Sequence, residues 1–149
     1  TKNYGFGEST GIELGAESKG SIANLLKPKI AEIDAATSAF GQGIAATPLQ
    51  MIMPYQVIAD QGILMKPYVV QAIVKSNGRK EEIKPKMVRR VISERTANTI
   101  AAMLVNVVEL GHSKKASING YYIGGKTGTA QIATRGGYLQ SIASLPEKF

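Results

Sequence analysis

The sequence has no cysteine, no tryptophan and a single histidine in 149 residues. Without cysteine there is no disulfide frame, no zinc–thiolate centre and no thiol nucleophile. One histidine, His112, cannot build a histidine metal cluster, and it would have to be the sole base of any Ser-His-Asp triad. It stands between Gly111 and Ser113 and reads as an exposed turn residue. No apolar run reaches the roughly 18 residues that a membrane-crossing helix needs. The opening residues Thr1-Lys2-Asn3-Tyr4-Gly5-Phe6-Gly7 carry neither a start methionine nor the charged-then-apolar pattern of a leader. They read as the interior of a longer chain.

What is present is an ordinary globular composition, with 44% apolar residues and a formal net charge of +7. The basic residues gather at Lys84-Pro85-Lys86, Arg89-Arg90 and Lys114-Lys115, with few aromatics between them. A nucleic-acid surface would combine a basic stripe with stacking aromatics, so no nucleic-acid partner is expected. A solvated basic surface beside an anionic envelope is the simpler reading.

There is no repeat and no low-complexity tract. Gly11-Ile12-Glu13-Leu14-Gly15 predicts a short strand between loops. The glycines around Gln42, in Phe40-Gly41-Gln42-Gly43, predict a tight backbone passage. Thr47-Pro48 predicts a helix start, with Thr47 as N-cap and Pro48 at the first position. Leu49, Ile52, Met53, Val57 and Ile58 would form its apolar stripe, Pro54 would kink it, and Gly62 would stop it. Residues 68–75 predict a strand, Asn77-Gly78 a hairpin turn, Lys80–Lys84 a polar return strand, and Val88–Ile92 another strand. Ser93 opens the clearest helix, ending at Gly111, with Ile100, Met103, Leu104, Val107 and Val108 on one buried face. Tyr121 to Ile132, around Gly124-Gly125, reads as a strand whose glycines admit a ligand or another backbone.

Three motif matches fall near one another. Gly120 to Thr127 satisfies the P-loop pattern, but that motif needs a buried strand before it and a helix after it, and neither is legible. Ser117-Ile118-Asn119 matches Ser-x-Asn and reads as a turn. Lys126-Thr127-Gly128 offers a cation, a hydroxyl and a bare position on an extended edge. Such an edge can pair with a peptide, receive a carboxylate, and aim a main-chain N–H at an oxyanion.

The surrounding residues give this third match its context. Tyr4-Gly5-Phe6-Gly7 with Thr10-Gly11-Ile12-Glu13-Leu14, then Phe40-Gly41-Gln42-Gly43-Ile44-Ala45-Ala46-Thr47-Pro48-Leu49-Gln50, then Gly120 through Gln131 come in one order. In this the chain resembles the penicillin-binding protein transpeptidase domain, class B, of the cell-division or elongation type, over about residues 4–145. The resemblance implies a mixed α/β (α+β) fold, part of the serine β-lactamase/penicillin-binding transpeptidase-like fold, with an antiparallel sheet flanked by helices. It implies serine acyl transfer on the D-Ala-D-Ala end of a peptidoglycan stem peptide, with β-lactams as mimics of that peptide. Lys126, Thr127, Gly128 and Thr129 would bind substrate, Thr129 through its hydroxyl and its backbone N–H. No cofactor or metal is implied.

Partners would be cell-wall synthesis membrane proteins, on the extracytoplasmic face of a bacterial membrane with the anchor outside this chain. The family's Ser-x-x-Lys is absent, since no serine here has lysine three places on. The nucleophile and its base are therefore expected in a preceding part. Residues 1–149 read as the C-terminal portion of the domain, holding its Lys-Thr-Gly strand and inert alone. Two alternatives stay open on the sequence: a non-catalytic envelope- or peptide-binding module derived from that domain, and, remotely, a P-loop nucleotide binder.

Overall fold

In a computed structural model, residues 1–111 and 114–128 are described in full, and 132–134 and 137–139 by their backbone. The elements run α1 (Glu32–Ala39), α2 (Pro48–Ala59), β1 (Ile63–Met65), β2 (Ala72–Val74), β3 (Lys80–Glu82), β4 (Met87–Arg90), α3 (Glu94–Glu109), β5 (Ile132–Thr134) and β6 (Gly137–Leu139). The strands pair antiparallel as β1–β4, β2–β3 and β5–β6.

Both expected helix starts occur. Thr47 caps α2 in a full capping box: the Gln50 N–H donates to Thr47 Oγ1 at 3.1 Å, and the Thr47 N–H donates to Gln50 Oε1 at 3.0 Å. Pro48 fills the first position, and Pro54 lies within the helix. Ser93 caps α3 by accepting the Thr96 N–H at 3.1 Å.

The helix ends show how turn chemistry works here. α1, which the sequence reading left unassigned, closes as its Gly41 N–H donates to the Ser38 carbonyl and its Gln42 N–H to the Thr37 carbonyl. That paired closure, with Gly41 in the left-handed region at φ +89°, is the tight passage expected there. At the end of α2 two successive residues are left-handed, Gln61 at φ +54° and Gly62 at φ +91°. Gly62 is required for space as well, because a Cβ there would sit 2.1 Å from the Ile92 carbonyl oxygen.

The buried stripe of α2 differs from the one expected. Gln50, Met53 and Val57 are buried, Leu49 and Ile58 are half-buried, and Ile52 is exposed. Met53, Val57 and Leu64 form the core, with Tyr4, Val91 and Ile92 against it. On α3, Ala97 and Val108 are buried, but Met103 is 61% exposed, so the predicted face is covered only in part.

The strands need three corrections. Residues 11–15 form no strand. The Thr10 and Gly11 N–H groups donate to the two oxygens of Glu17, at 2.7 and 3.1 Å, and this local closure replaces a ladder. Of 68–75 only Ala72–Val74 is strand, because the Val69 N–H turns to the Glu13 carboxylate. The hairpin after it is not a two-residue Asn-Gly turn. Lys75 bonds Gly78 and Arg79, which places Gly78, at φ +78°, in the bulge position of a three-residue loop. β1, unforeseen, pairs with β4, and Gln56 of α2 ties it down by accepting the Met65 N–H and donating to the Ile63 carbonyl.

Gln50 is 1% exposed. Its Nε2 donates to the carbonyls of Lys19 (2.8 Å), Glu8 (2.9 Å) and Gly5 (3.4 Å). Beside it, Ser21 and Ala45 exchange both backbone hydrogen bonds, at 2.7 and 2.8 Å. A Cβ on Gly20 would lie 2.3 Å from the Ala45 oxygen, so the two strands meet only because that Cβ is absent.

Two measurements check this frame. Gln50→Ala leaves buried carbonyls without a donor and should cost about 2–4 kcal/mol, read as a lower denaturant midpoint; an unchanged midpoint would refute the role. Glu17 is held below the ordinary glutamate value, first by its hydrogen bond from the Thr10 side chain and then by backbone N–H groups. A depressed folded pKa contributes stability above the unfolded value, lost as pH falls through the folded one. The Thr10 and Gly11 amides should therefore lose exchange protection, measured against their intrinsic rates, as pH falls below the usual glutamate range, and Glu17→Gln should flatten that profile.

Candidate functional site

The segment that carries Lys126 reaches the surface by way of α3. Lys114–Ala116 form one 3-10 turn, and the Tyr121 N–H then donates to the Ile118 carbonyl at 3.0 Å, closing a second turn over Asn119-Gly120. Ser117-Ile118-Asn119 is thus turn sequence, as read: the Ser117 N–H donates to Lys114 and its hydroxyl to Glu109. Among the described residues no strand leads directly into Gly124, which removes the structural context that a P-loop requires.

From Tyr122 to Gly128 the chain belongs to no ladder, which corrects the expected strand over this stretch. Its one backbone tie among the described residues is the Gly125 N–H donating to the Leu104 carbonyl of α3 at 3.1 Å. The two glycines lie close on that helix. A Cβ on Gly124 would come within 3.2 Å of Leu104 Cβ, and one on Gly125 within 3.3 Å of Val108 Cγ2. The close approach read from the glycine pair is therefore an approach to a helix. The sequence reading missed Leu104 and Val108 as its floor, although both lie on the apolar face of α3.

Past this seat, Lys126, Thr127 and Gly128 are exposed. The Lys126 ammonium donates to the Thr127 hydroxyl at 3.1 Å and to the Thr127 carbonyl at 2.9 Å. Cation and hydroxyl thus stand together, open to solvent, where an anionic group could reach both. A Cβ on Gly128 would meet nothing within 4 Å, and its φ is not positive. Nothing among the described residues requires glycine there. Thr129 and His112 lie outside the described residues. Among those described, no cluster of metal-ligating side chains occurs and no helix is long and apolar enough to cross a membrane.

The model of the penicillin binding protein transpeptidase domain matches residues 1–144. The chain belongs to this family. It is 36% identical over 144 residues to the stage V sporulation protein D of Bacillus subtilis, covering 94% of this chain and 22% of that protein. With the peptidoglycan D,D-transpeptidase FtsI of Escherichia coli it shares 33% identity over 138 residues, covering 91% of this chain and 21% of FtsI. Among solved structures, apo penicillin-binding protein 3 of Mycobacterium tuberculosis superposes with a TM-score of 0.78 at 35% identity, over 93% of this chain and 32% of that one. The same protein complexed with ampicillin gives 0.76 at 35% identity, with the same coverage.

The transpeptidase-domain chain thus spans about a fifth of the length of these curated relatives. Its mixed α/β architecture, small antiparallel sheets with helices, is that of the transpeptidase-domain fold. If Gly128 is bare for a ligand's sake, Gly128→Ala should leave the denaturant midpoint of this transpeptidase segment unchanged within about 0.5 kcal/mol. A larger loss would assign the glycine to folding.

Proposed function

We propose that this chain is the C-terminal portion of a peptidoglycan D,D-transpeptidase domain, and that Lys126, Thr127, Gly128 and Thr129 form its substrate-binding segment. The carrying observation is the exposed pairing of the Lys126 ammonium with the Thr127 hydroxyl, followed by a Gly128 that nothing among the described residues requires. A cation beside a hydroxyl suits the terminal carboxylate of a D-Ala-D-Ala stem peptide or the acidic group of a β-lactam. A segment that belongs to no ladder among the described residues suits a peptide laid alongside it. Gly128 lets that peptide lie close, and Thr129 would add its hydroxyl and an N–H toward the oxyanion.

In this reading a serine outside residues 1–149 attacks the penultimate D-Ala carbonyl. The terminal D-Ala leaves as a free amine-bearing amino acid, and the acyl-serine passes to an amine of a neighbouring strand, which frees the serine. Two facts support placing that serine elsewhere. The sequence holds no Ser-x-x-Lys, and it spans only a fifth of relatives such as FtsI. Ampicillin, bound by the solved mycobacterial relative, is the corresponding probe. The working site would be the outer face of a bacterial membrane among cell-wall synthesis proteins.

Many large apolar side chains, among them Ile33, Phe40, Ile52 and Met103, are more than half exposed, as expected of one part of a larger packed domain. The isolated chain should therefore associate or stay poorly soluble in sedimentation experiments. A monomer with one cooperative melt would argue for a free-standing module. Labelled penicillin should leave no covalent adduct on the chain alone, and an adduct would overturn the proposal. In the parent protein, Lys126→Ala should slow penicillin acylation by about 10–100-fold, the loss of one charge-assisted contact.

A further inference from the structure

We infer that Gly125 and Val108 are positioning residues, and that the face of α3 sets where the Lys126 ammonium stands. The inference rests on the role proposed for Lys126 and goes past it, to what holds that side chain in place. Among the described residues no ladder bond fixes the segment between Tyr122 and Gly128; a single backbone bond does, from the Gly125 N–H to the Leu104 carbonyl. That bond needs the backbone to lie almost on the helix, and the glycine pair permits it. At Gly125 the only heavy atom of the described residues that an added Cβ would meet within 4 Å is Val108 Cγ2, at 3.3 Å. Val108 is fully buried, so its methyl has little room to retreat. The added methyl would push the segment off α3, lengthen its one tie, and carry the next residue, Lys126, outward.

Gly124 makes a useful contrast. Its added Cβ would meet Leu104 Cβ at 3.2 Å, with helix backbone behind at 3.8 Å. Every residue except glycine carries that Cβ, so no ordinary truncation of Leu104 makes room. At Gly125, by contrast, Val108→Ala removes the obstructing methyl. The two glycines therefore differ in whether a second change can restore them, and loss of general packing would not produce that difference.

The test uses the full-length transpeptidase that contains this segment, with a fluorescent penicillin as probe and melting temperature followed in parallel. Gly125→Ala should lower the second-order acylation rate by about tenfold or more, since small misplacements of a binding group are costly. Gly125→Ala with Val108→Ala should return to within about threefold of the parent, although Val108→Ala leaves the melting temperature lowered. Gly124→Ala should also lower the rate, and Val108→Ala should not restore it. Wild-type acylation by Gly125→Ala, beside a Lys126→Ala variant that is impaired, would overturn this inference and leave the proposed function standing. An impaired Gly125→Ala that Val108→Ala fails to restore would overturn it too. Wild-type acylation by Lys126→Ala would overturn the role of Lys126 and this inference with it.

Discussion

One side-chain amide organises the first half of this chain. Gln50 is buried, so each of its polar atoms must find a partner inside. Its oxygen accepts the Thr47 N–H and so helps start α2. Its nitrogen reaches the carbonyls of Gly5, Glu8 and Lys19, and so binds the long irregular segment before α1 to the first turn of α2. A segment with only two short 3-10 turns, Lys2–Tyr4 and Ala23–Leu25, has no ladder for most of its carbonyls, and one donor from a rigid helix end supplies what the ladder would have. An apolar residue could fill the same volume and would leave those carbonyls unpaired.

From that anchor the order passes along the chain in short steps. α2 is fixed at its start by the capping box and carries Gln56, which fastens β1 from outside the sheet. β1 pairs with β4, and Arg89 of β4 turns back to donate to the carbonyls of Lys2 and Asn3. The N-terminal residues are thus tied both to α2 and to the β1–β4 pair. β4 leads to Ser93 and α3, and α3 packs on α2 and also carries Gly124 and Gly125. The surface ion pairs, such as Lys75 with Glu81, add little to this, since both partners are about half exposed.

What the sequence made legible follows a physical division. Signals that act within four residues read well: Thr47 and Ser93 as caps, Pro48 at the first position, Gly111 just past α3, and the hairpin around Asn77-Gly78. Signals that need a distant partner read poorly. Ile52 and Met103 fit the helical period and are exposed, because period alone does not say which faces find a partner. Gln50 breaks the apolar pattern and is the most consequential residue of α2, since its acceptors lie far off in sequence. The strand expected at 11–15 failed because Glu17 satisfies the Thr10 and Gly11 amides locally. The site was legible as residue types and order, while its support on α3 was not. Family resemblance conveys which residues recur, and contact with Leu104 and Val108 is a matter of three-dimensional placement.

The glycines at the site show how structure can separate folding from function in one short motif. Gly124 and Gly125 have a reason inside the molecule, which is the nearness of Leu104 and Val108. Gly128, three residues on, meets no described atom where a Cβ would stand and has no left-handed backbone to maintain. A glycine still has an entropic cost in the unfolded chain, so a position with neither need among the described residues is under-explained by them. The function proposed above would supply the explanation: a peptide edge with an anionic end, lying close to the backbone beside the Lys126 ammonium and the Thr127 hydroxyl. Gly124 and Gly125 are understood through what they rest on.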